Sequence, residues 1–238
     1  CIRDRSIAFT MNVPFDARPF SVDMPEKPDG AEWSPAFEYV TETRYQADGS
    51  GILDPAYSHI FVVPAEGGTP RQLTAGNYNH RSSLSWTPDS REIFFSANRN
   101  ENWALQSRES DIFAVSTNGE LRQLTATPGV ETGPRVSPDG TLIAYGKTDN
   151  EKLAYRNRYL HVIGIDGEND QNLSAGIDKS VSGWVWDGND GLHYQLTRRG
   201  ITEVGRVNLD GGHRVVATGL GGESLGRPYV SGSFSVES

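Results

Sequence analysis

Four short stretches of the chain bring apolar, β-branched and aromatic residues together in the same order: Ile7-Ala8-Phe9-Thr10, Ile93-Phe94-Phe95-Ser96, Ile143-Ala144-Tyr145-Gly146 and Leu192-His193-Tyr194-Gln195. The last three begin at residues 93, 143 and 192, a repeat of about 50 residues. Each is preceded by turn chemistry, in Trp86-Thr87-Pro88-Asp89-Ser90, Val136-Ser137-Pro138-Asp139-Gly140 and Trp186-Asp187-Gly188-Asn189-Asp190-Gly191. Each is followed by a second apolar run: Ile60–Val63, Asp111–Val115, Tyr159–Ile163 and Val204–Leu209. A shorter run then closes the unit, as Arg71-Gln72-Leu73-Thr74, Arg122-Gln123-Leu124-Thr125, Gln171-Asn172-Leu173-Ser174 and Arg214-Val215-Val216-Ala217.

Four short strands per unit, A to D, separated by Pro, Asp and Gly turns, predict a four-stranded antiparallel sheet. Stacked units of this size predict an all-β fold, a β-propeller that is either partial or four-bladed. No segment sustains a 3.6-residue apolar period, so almost no helix is expected. Counting strands, the chain starts in strand B of one blade, passes through three whole blades and ends with residues 230–236 as a further A strand. Residues 1–238 are thus expected to form a single, incomplete propeller domain, a piece of a larger ring. The alternative is a closed ring in which 230–236 pairs with 6–10. Open blade edges would invite self-association.

Residues 11–58 interrupt the repeat between the first B and C strands. Pro14, Pro19, Pro25, Pro28 and Pro35 keep the first half extended, and Tyr39–Gly51 suits a small hairpin with Asp48-Gly49 at its tip. The A–B and C–D turns are minimal, whereas the B–C connections (98–110, 147–157) and D–A connections (75–81, 126–131, 218–228) are long. In an antiparallel blade these two classes leave from opposite ends, and binding residues concentrate on loops carried by a rigid scaffold. The candidate partner or substrate face is accordingly the B–C/D–A end, with Arg44, Tyr45, Asp48, Arg99, Trp103 and Arg156 as its residues. Arg and aromatic side chains are the types enriched where interfaces carry their energy.

Composition narrows the classes. Lys and Arg number 22 against 31 Asp and Glu, a net charge of −9, which argues against nucleic acid as a partner. No apolar run approaches the ~18–20 residues that span a bilayer, so no membrane partner is expected. With the single Cys1, no intramolecular disulfide can form and no Cys-based zinc site is available. The five histidines, His59, His80, His161, His193 and His213, lack metal-ligand spacing, and no cofactor is implied. Gly222-Glu223-Ser224-Leu225-Gly226 imitates a nucleophile elbow, but neither Asp nor His follows it, so it reads as a blade connection. Asp166–Asp170 and Asp187–Gly191 imitate calcium loops, yet fall at hairpin positions where Asp, Asn and Gly form turns. Trp86, Val136 and Trp186 share one repeat position and are expected to pack blade on blade.

Repeats of the form Ser-Pro-Asp-Gly-x-x-Ile-Ala-Tyr, Asp-Ile-Phe-Ala-Val and Arg-Gln-Leu-Thr resemble those shared by TolB-like proteins and the prolyl oligopeptidase family of serine peptidases. Arg44–Asp54 leading to His59–Pro64, Gly67–Thr74, Ser96–Arg99 and Gly226–Tyr229 resemble the acylaminoacyl-peptidase and dipeptidyl-peptidase branch. The resemblance implies a non-catalytic propeller that filters peptide substrates for an α/β-hydrolase domain, its partner in the parent protein. The family's catalytic residues map onto nothing here. A free-standing TolB-like propeller for protein–protein interaction is the alternative, and a glycan-binding or glycan-processing propeller a third.

Overall fold

A computed structural model describes residues 2–3, 6–16, 25–32, 34, 39–80, 83–151, 153, 155–221 and 232–236. Its strands fall into four antiparallel sheets of four, in the order the repeat requires. Blade I takes β1 (Ile2–Arg3) and β2 (Ser6–Pro14), releases a side hairpin of β3 (Gln46–Ala47) and β4 (Gly51–Ile52), and resumes with β5 (Ala56–Pro64) and β6 (Arg71–Gln72). Blade II is β7 (Ser85–Trp86), β8 (Glu92–Ala97), β9 (Asp111–Ser116) and β10 (Leu121–Gln123). Blade III is β11 (Val130–Val136), β12 (Leu142–Thr148), β13 (Tyr159–Gly164) and β14 (Gln171–Asn172). Blade IV is β15 (Val181–Asp187), β16 (Gly191–Arg198), β17 (Ile201–Asn208) and β18 (His213–Ala217). Among the described residues the helical content is one 3-10 turn, Trp103–Leu105.

The motifs earn their repetition through local hydrogen bonds. In the A–B turn of blade III, Ser137 Oγ donates to Asp139 Oδ1 (2.6 Å) and accepts the Leu142 amide (3.0 Å), while Gly140 takes a φ of 76°. Blade II repeats this with Thr87 and Asp89 at 2.6 Å, and Ser90 takes the glycine's place at a φ of 61°. The Leu-Thr or Leu-Ser that ends strand D is a latch onto strand C. Thr74, Thr125 and Ser174 accept the amides of Ile60, Ile112 and Leu160 at 2.9, 2.9 and 2.8 Å.

Period-2 alternation sends the apolar side chains of blades II and III to both of their neighbours. Ala8, Ile60, Val62 and Leu73 of blade I pack on Trp86, Ile93, Phe95 and Phe113 of blade II. Phe94, Ile112 and Ala114 meet Ile143, Tyr145 and Ile163. Ala144, Leu160 and Val162 meet Trp184, Trp186, Leu192 and Tyr194. Trp86 and Trp186 thus serve the inter-blade packing expected of them.

Both chain ends differ from the strand count. Blade I does not start at strand B, because Ile2–Arg3 pairs with Ser6–Ile7 and fills the A position. Residues 232–236, the described part of the expected terminal A strand, form no strand and do not pair with 6–10. A two-residue strand is too short to leave a periodic signal, and a run such as Ser-Phe-Ser-Val looks strand-like wherever it lies. The B–C insertion of blade I is also shorter than 11–58, since β2 runs to Pro14 and β5 begins at Ala56.

Candidate functional site: the loop end of the blades

The two ends of the blades are built differently. At the turn end, neighbouring blades lock together: the Asp139 amide donates to Asn189 Oδ1 at 3.1 Å, and Gln171 Nε2 to the Leu209 carbonyl at 3.1 Å. At the other end the B–C and D–A connections gather. Arg108 of the blade II loop donates to the carbonyls of Glu151 (3.3 Å) and Leu153 (3.2 Å) in the blade III loop. An open cleft of about 510 Å³ lies between them, lined by Asn100, Glu101, Asn102, Gln106, Glu109, Asp111, Gln123, Thr127 and Asn150, with Ala126 and Pro128. At its wall, burial, and secondarily Glu131 and Glu109, push the Asp111 carboxyl up to about 6, while Gln123 Nε2 donates to it at 3.1 Å.

Exposed apolar side chains gather at this end too. Tyr39, Val40, Tyr45 and Ile52 stand on the insertion, Leu105 on the blade II loop, and Leu153 and the 95% exposed Tyr155 on the blade III loop. Met11, Leu121, Val185, Ile201, Val215 and Val216 are also exposed, all of them on strands.

The six candidate residues separate into distinct situations. Arg44, Tyr45 and Asp48 are exposed on the β3–β4 hairpin, whose Asp48–Ser50 turn holds Gly49 at a φ of 76°. Trp103 packs edge-on against Tyr57 at 6.1 Å; Tyr57 in turn stacks on Phe15 (4.7 Å) and donates to Glu42 Oε1 (3.0 Å). Burial and the Glu42 carboxylate raise the Tyr57 hydroxyl to about 12. Trp103 therefore ties the blade II loop to β5 of blade I, where Tyr57 in turn meets Phe15 and Glu42 of the insertion. Arg156 forms ion pairs with Asp149 and Glu151 inside its own loop. Arg99 reaches across the blade I–II junction to His80, with Nη1 2.6 Å from Nε2.

Two features of this end have no obvious sequence signature. The amides of His80, Glu131 and Val181 rejoin the preceding blade by donating to the carbonyls of Ser58, Ser110 and Arg158 at 2.9, 3.0 and 3.0 Å. These are equivalent positions, and all three side chains are buried. At the second junction Glu131 accepts from Thr125 and Thr127 and pairs with Lys147 at 3.2 Å. Lys147 extends the network toward Asp170 (3.9 Å), which also receives Tyr145 Oη (2.8 Å) and His161 Nδ1 (3.0 Å). Burial alone would raise the Asp170 carboxyl, but the bonds from His161 and Tyr145 hold it below the usual carboxylate range. The Ser224 motif lies outside the described residues. Asp166 and Gly167 form a turn, with the Glu168 amide donating to Asp166 Oδ1 at 3.0 Å; Asp187 and Asp190 both receive Arg206.

Residues 35–144 match the family described as the Dipeptidyl peptidase IV (DPP IV) N-terminal region. An uncharacterized protein of Agrobacterium fabrum is 30% identical over 129 residues, which are 53% of this chain and 38% of that protein. A solved structure assigned as TolB from Agrobacterium tumefaciens aligns with a TM-score of 0.54 at 20% identity, over 68% of this chain and 57% of its own. A puromycin-hydrolyzing peptidase of Mycobacterium tuberculosis aligns with a TM-score of 0.52 at 17% identity, over 67% of this chain and 27% of its own. The chain therefore spans well under two thirds of these relatives. It has the β-propeller fold that TolB-like proteins and prolyl oligopeptidase-family peptidases share.

Proposed function

We propose that the chain is the non-catalytic, substrate-gating propeller of a prolyl oligopeptidase-family serine peptidase resembling acylaminoacyl-peptidase. Its loop end faces the α/β-hydrolase domain of the intact protein or lines the cavity that a peptide enters. The observation that carries this is that seven exposed apolar side chains, Tyr39, Val40, Tyr45, Ile52, Leu105, Leu153 and Tyr155, stand on the B–C connections. The match to the DPP IV N-terminal region supports it, because residues 35–144 include the β3–β4 hairpin and the whole blade II loop.

The test is to treat the full-length protein with a serine-directed fluorophosphonate and to assay it on aminoacyl- and acylaminoacyl-nitroanilides. Labelling and hydrolysis are expected from the full-length protein, and neither from residues 1–238 alone. Hydrolysis by the isolated chain that Ser224→Ala abolishes would overturn the assignment. The TolB-like alignment favours a second reading, a propeller that only binds other proteins. Under it, the full-length protein neither labels nor hydrolyses.

A further inference from the structure

On the footing of that loop-face reading, we propose that Arg99 is a preorganised receptor for a carboxylate, and that buried His80 is the residue that positions it. His80 is fully buried, and its Nδ1 lies 3.0 Å from the Ser58 carbonyl oxygen. A carbonyl only accepts, so Nδ1 carries the proton and Nε2 presents its lone pair to Arg99 Nη1 at 2.6 Å. The Ala75 carbonyl, 3.5 Å away, also faces Nη1, and the Tyr78 ring lies 4.5 Å from the guanidinium carbon. The plane of the fork is thus fixed from one edge and one face.

Arg91, Arg122, Arg156, Arg198 and Arg206 each have a carboxylate partner, whereas Arg99 has none among the described residues. Among the arginines without a carboxylate partner, Arg71, Arg108 and Arg135 bond backbone carbonyls, and Arg99 differs from them in resting on a buried imidazole. Both of its hydrogen bonds go to neutral acceptors and leave from Nη1, so Nε and Nη2 have no hydrogen-bond partner among the described residues. That unused side of the fork is the one that takes a carboxylate through two parallel hydrogen bonds. The guanidinium is half-buried, which strengthens such a pair relative to one in open water. Two sources of the same chemistry fit: the C-terminal carboxylate of a peptide, and an Asp or Glu side chain.

The experiment is calorimetric titration of the full-length protein with N-acetyl-Ala-Ala, N-acetyl-Asp-amide and N-acetyl-Ala-Ala-amide. One or both acids are expected to bind and the amide to bind at least about tenfold more weakly, the loss that follows from removing a charge-assisted pair. The acid that binds identifies the source. Arg99→Lys keeps the charge but not the fork, and His80→Gln puts a flexible amide in place of the rigid imidazole. Both should weaken acid binding by about tenfold while leaving amide binding and thermal unfolding unchanged. Equal binding of acid and amide, no binding of either acid, or full acid binding by Arg99→Lys would overturn the proposal. Acid binding that persists without any hydrolytic activity would sink the peptidase reading and leave the carboxylate site standing.

Discussion

The indole of Trp184 occupies the space that a side chain at Gly146 would need: a Cβ there would lie 2.5 Å from Trp184 Cη2. Gly133, at a φ of 64°, is constrained in the same way, with a Cβ falling 2.9 Å from Cζ2, and its carbonyl accepts Trp184 Nε1 at 3.0 Å. Blade IV is therefore keyed into blade III by one aromatic side chain and two missing ones. Trp184→Ala should cost about 3–5 kcal/mol in urea unfolding, the usual range for a buried large aromatic. Gly146→Ala should also destabilise, through overpacking. Unchanged unfolding of Gly146→Ala would show that the junction relaxes and is not keyed.

At the junction between blades II and III, Glu131 of blade III accepts from Thr125 of blade II, and its charge is balanced from its own blade by its cross-strand neighbour Lys147. The Glu131 carboxylate is fully buried, and Lys147 is its one cationic partner among the described residues. Removing the cation leaves a buried charge with only the hydroxyls of Thr125 and Thr127. Lys147→Met should therefore destabilise by about 3–5 kcal/mol, and Glu131→Gln in the same background should recover much of that loss. Guanidinium unfolding of the two single variants and the double variant measures the coupling. A loss that is additive across the pair would contradict it.

Asp111 gives stability a pH dependence of known sign. Burial pushes its carboxyl up to about 6 in the folded protein, from an ordinary 3.8 when the chain is unfolded. Between those values the folded state holds a proton that the unfolded state has lost, so this site's contribution is complete below about pH 4 and fades as pH rises through 6. Asp111→Asn keeps an acceptor for Gln123 and cannot ionise. Its stability relative to the natural protein should grow from pH 4 to 6 and then level off, as read by thermal melts across that range. A difference that stays flat with pH would place the carboxyl at its ordinary value.

Much of this fold is legible in the sequence because its periodicity is chemical as well as hydrophobic. Ser137-Pro138-Asp139-Gly140 states its own turn, and Leu-Thr states the D-strand latch in side chains that repeat. Ile2–Arg3 does not announce itself, since two residues cannot show alternation. The candidate site is legible only as a face. Loop lengths put Arg99, Trp103 and Arg156 at one end of the blades, but do not show which partner each one takes. Arg156 turns out to be tied to Asp149 and Glu151, both near it in the chain, while Arg99 depends on His80, which lies 19 residues earlier on the connection from blade I to blade II. His80 reads as an ordinary turn histidine until the register of its amide on Ser58 shows it to be equivalent to Glu131 and Val181.

The measurement that bears most directly on the functional face compares kcat/KM for peptide hydrolysis by the full-length protein and by Arg99→Ala, Arg44→Ala and Arg91→Ala. Arg91 sits on an A–B turn at the opposite end, with its side chain 83% exposed. Arg99→Ala should lower kcat/KM by about tenfold or more, in keeping with a lost charge-assisted contact, with a smaller loss for Arg44→Ala and none for Arg91→Ala. Equal effects at the two ends of the blades, or no effect at either, would contradict the assignment of the loop end as the face that meets substrate or hydrolase.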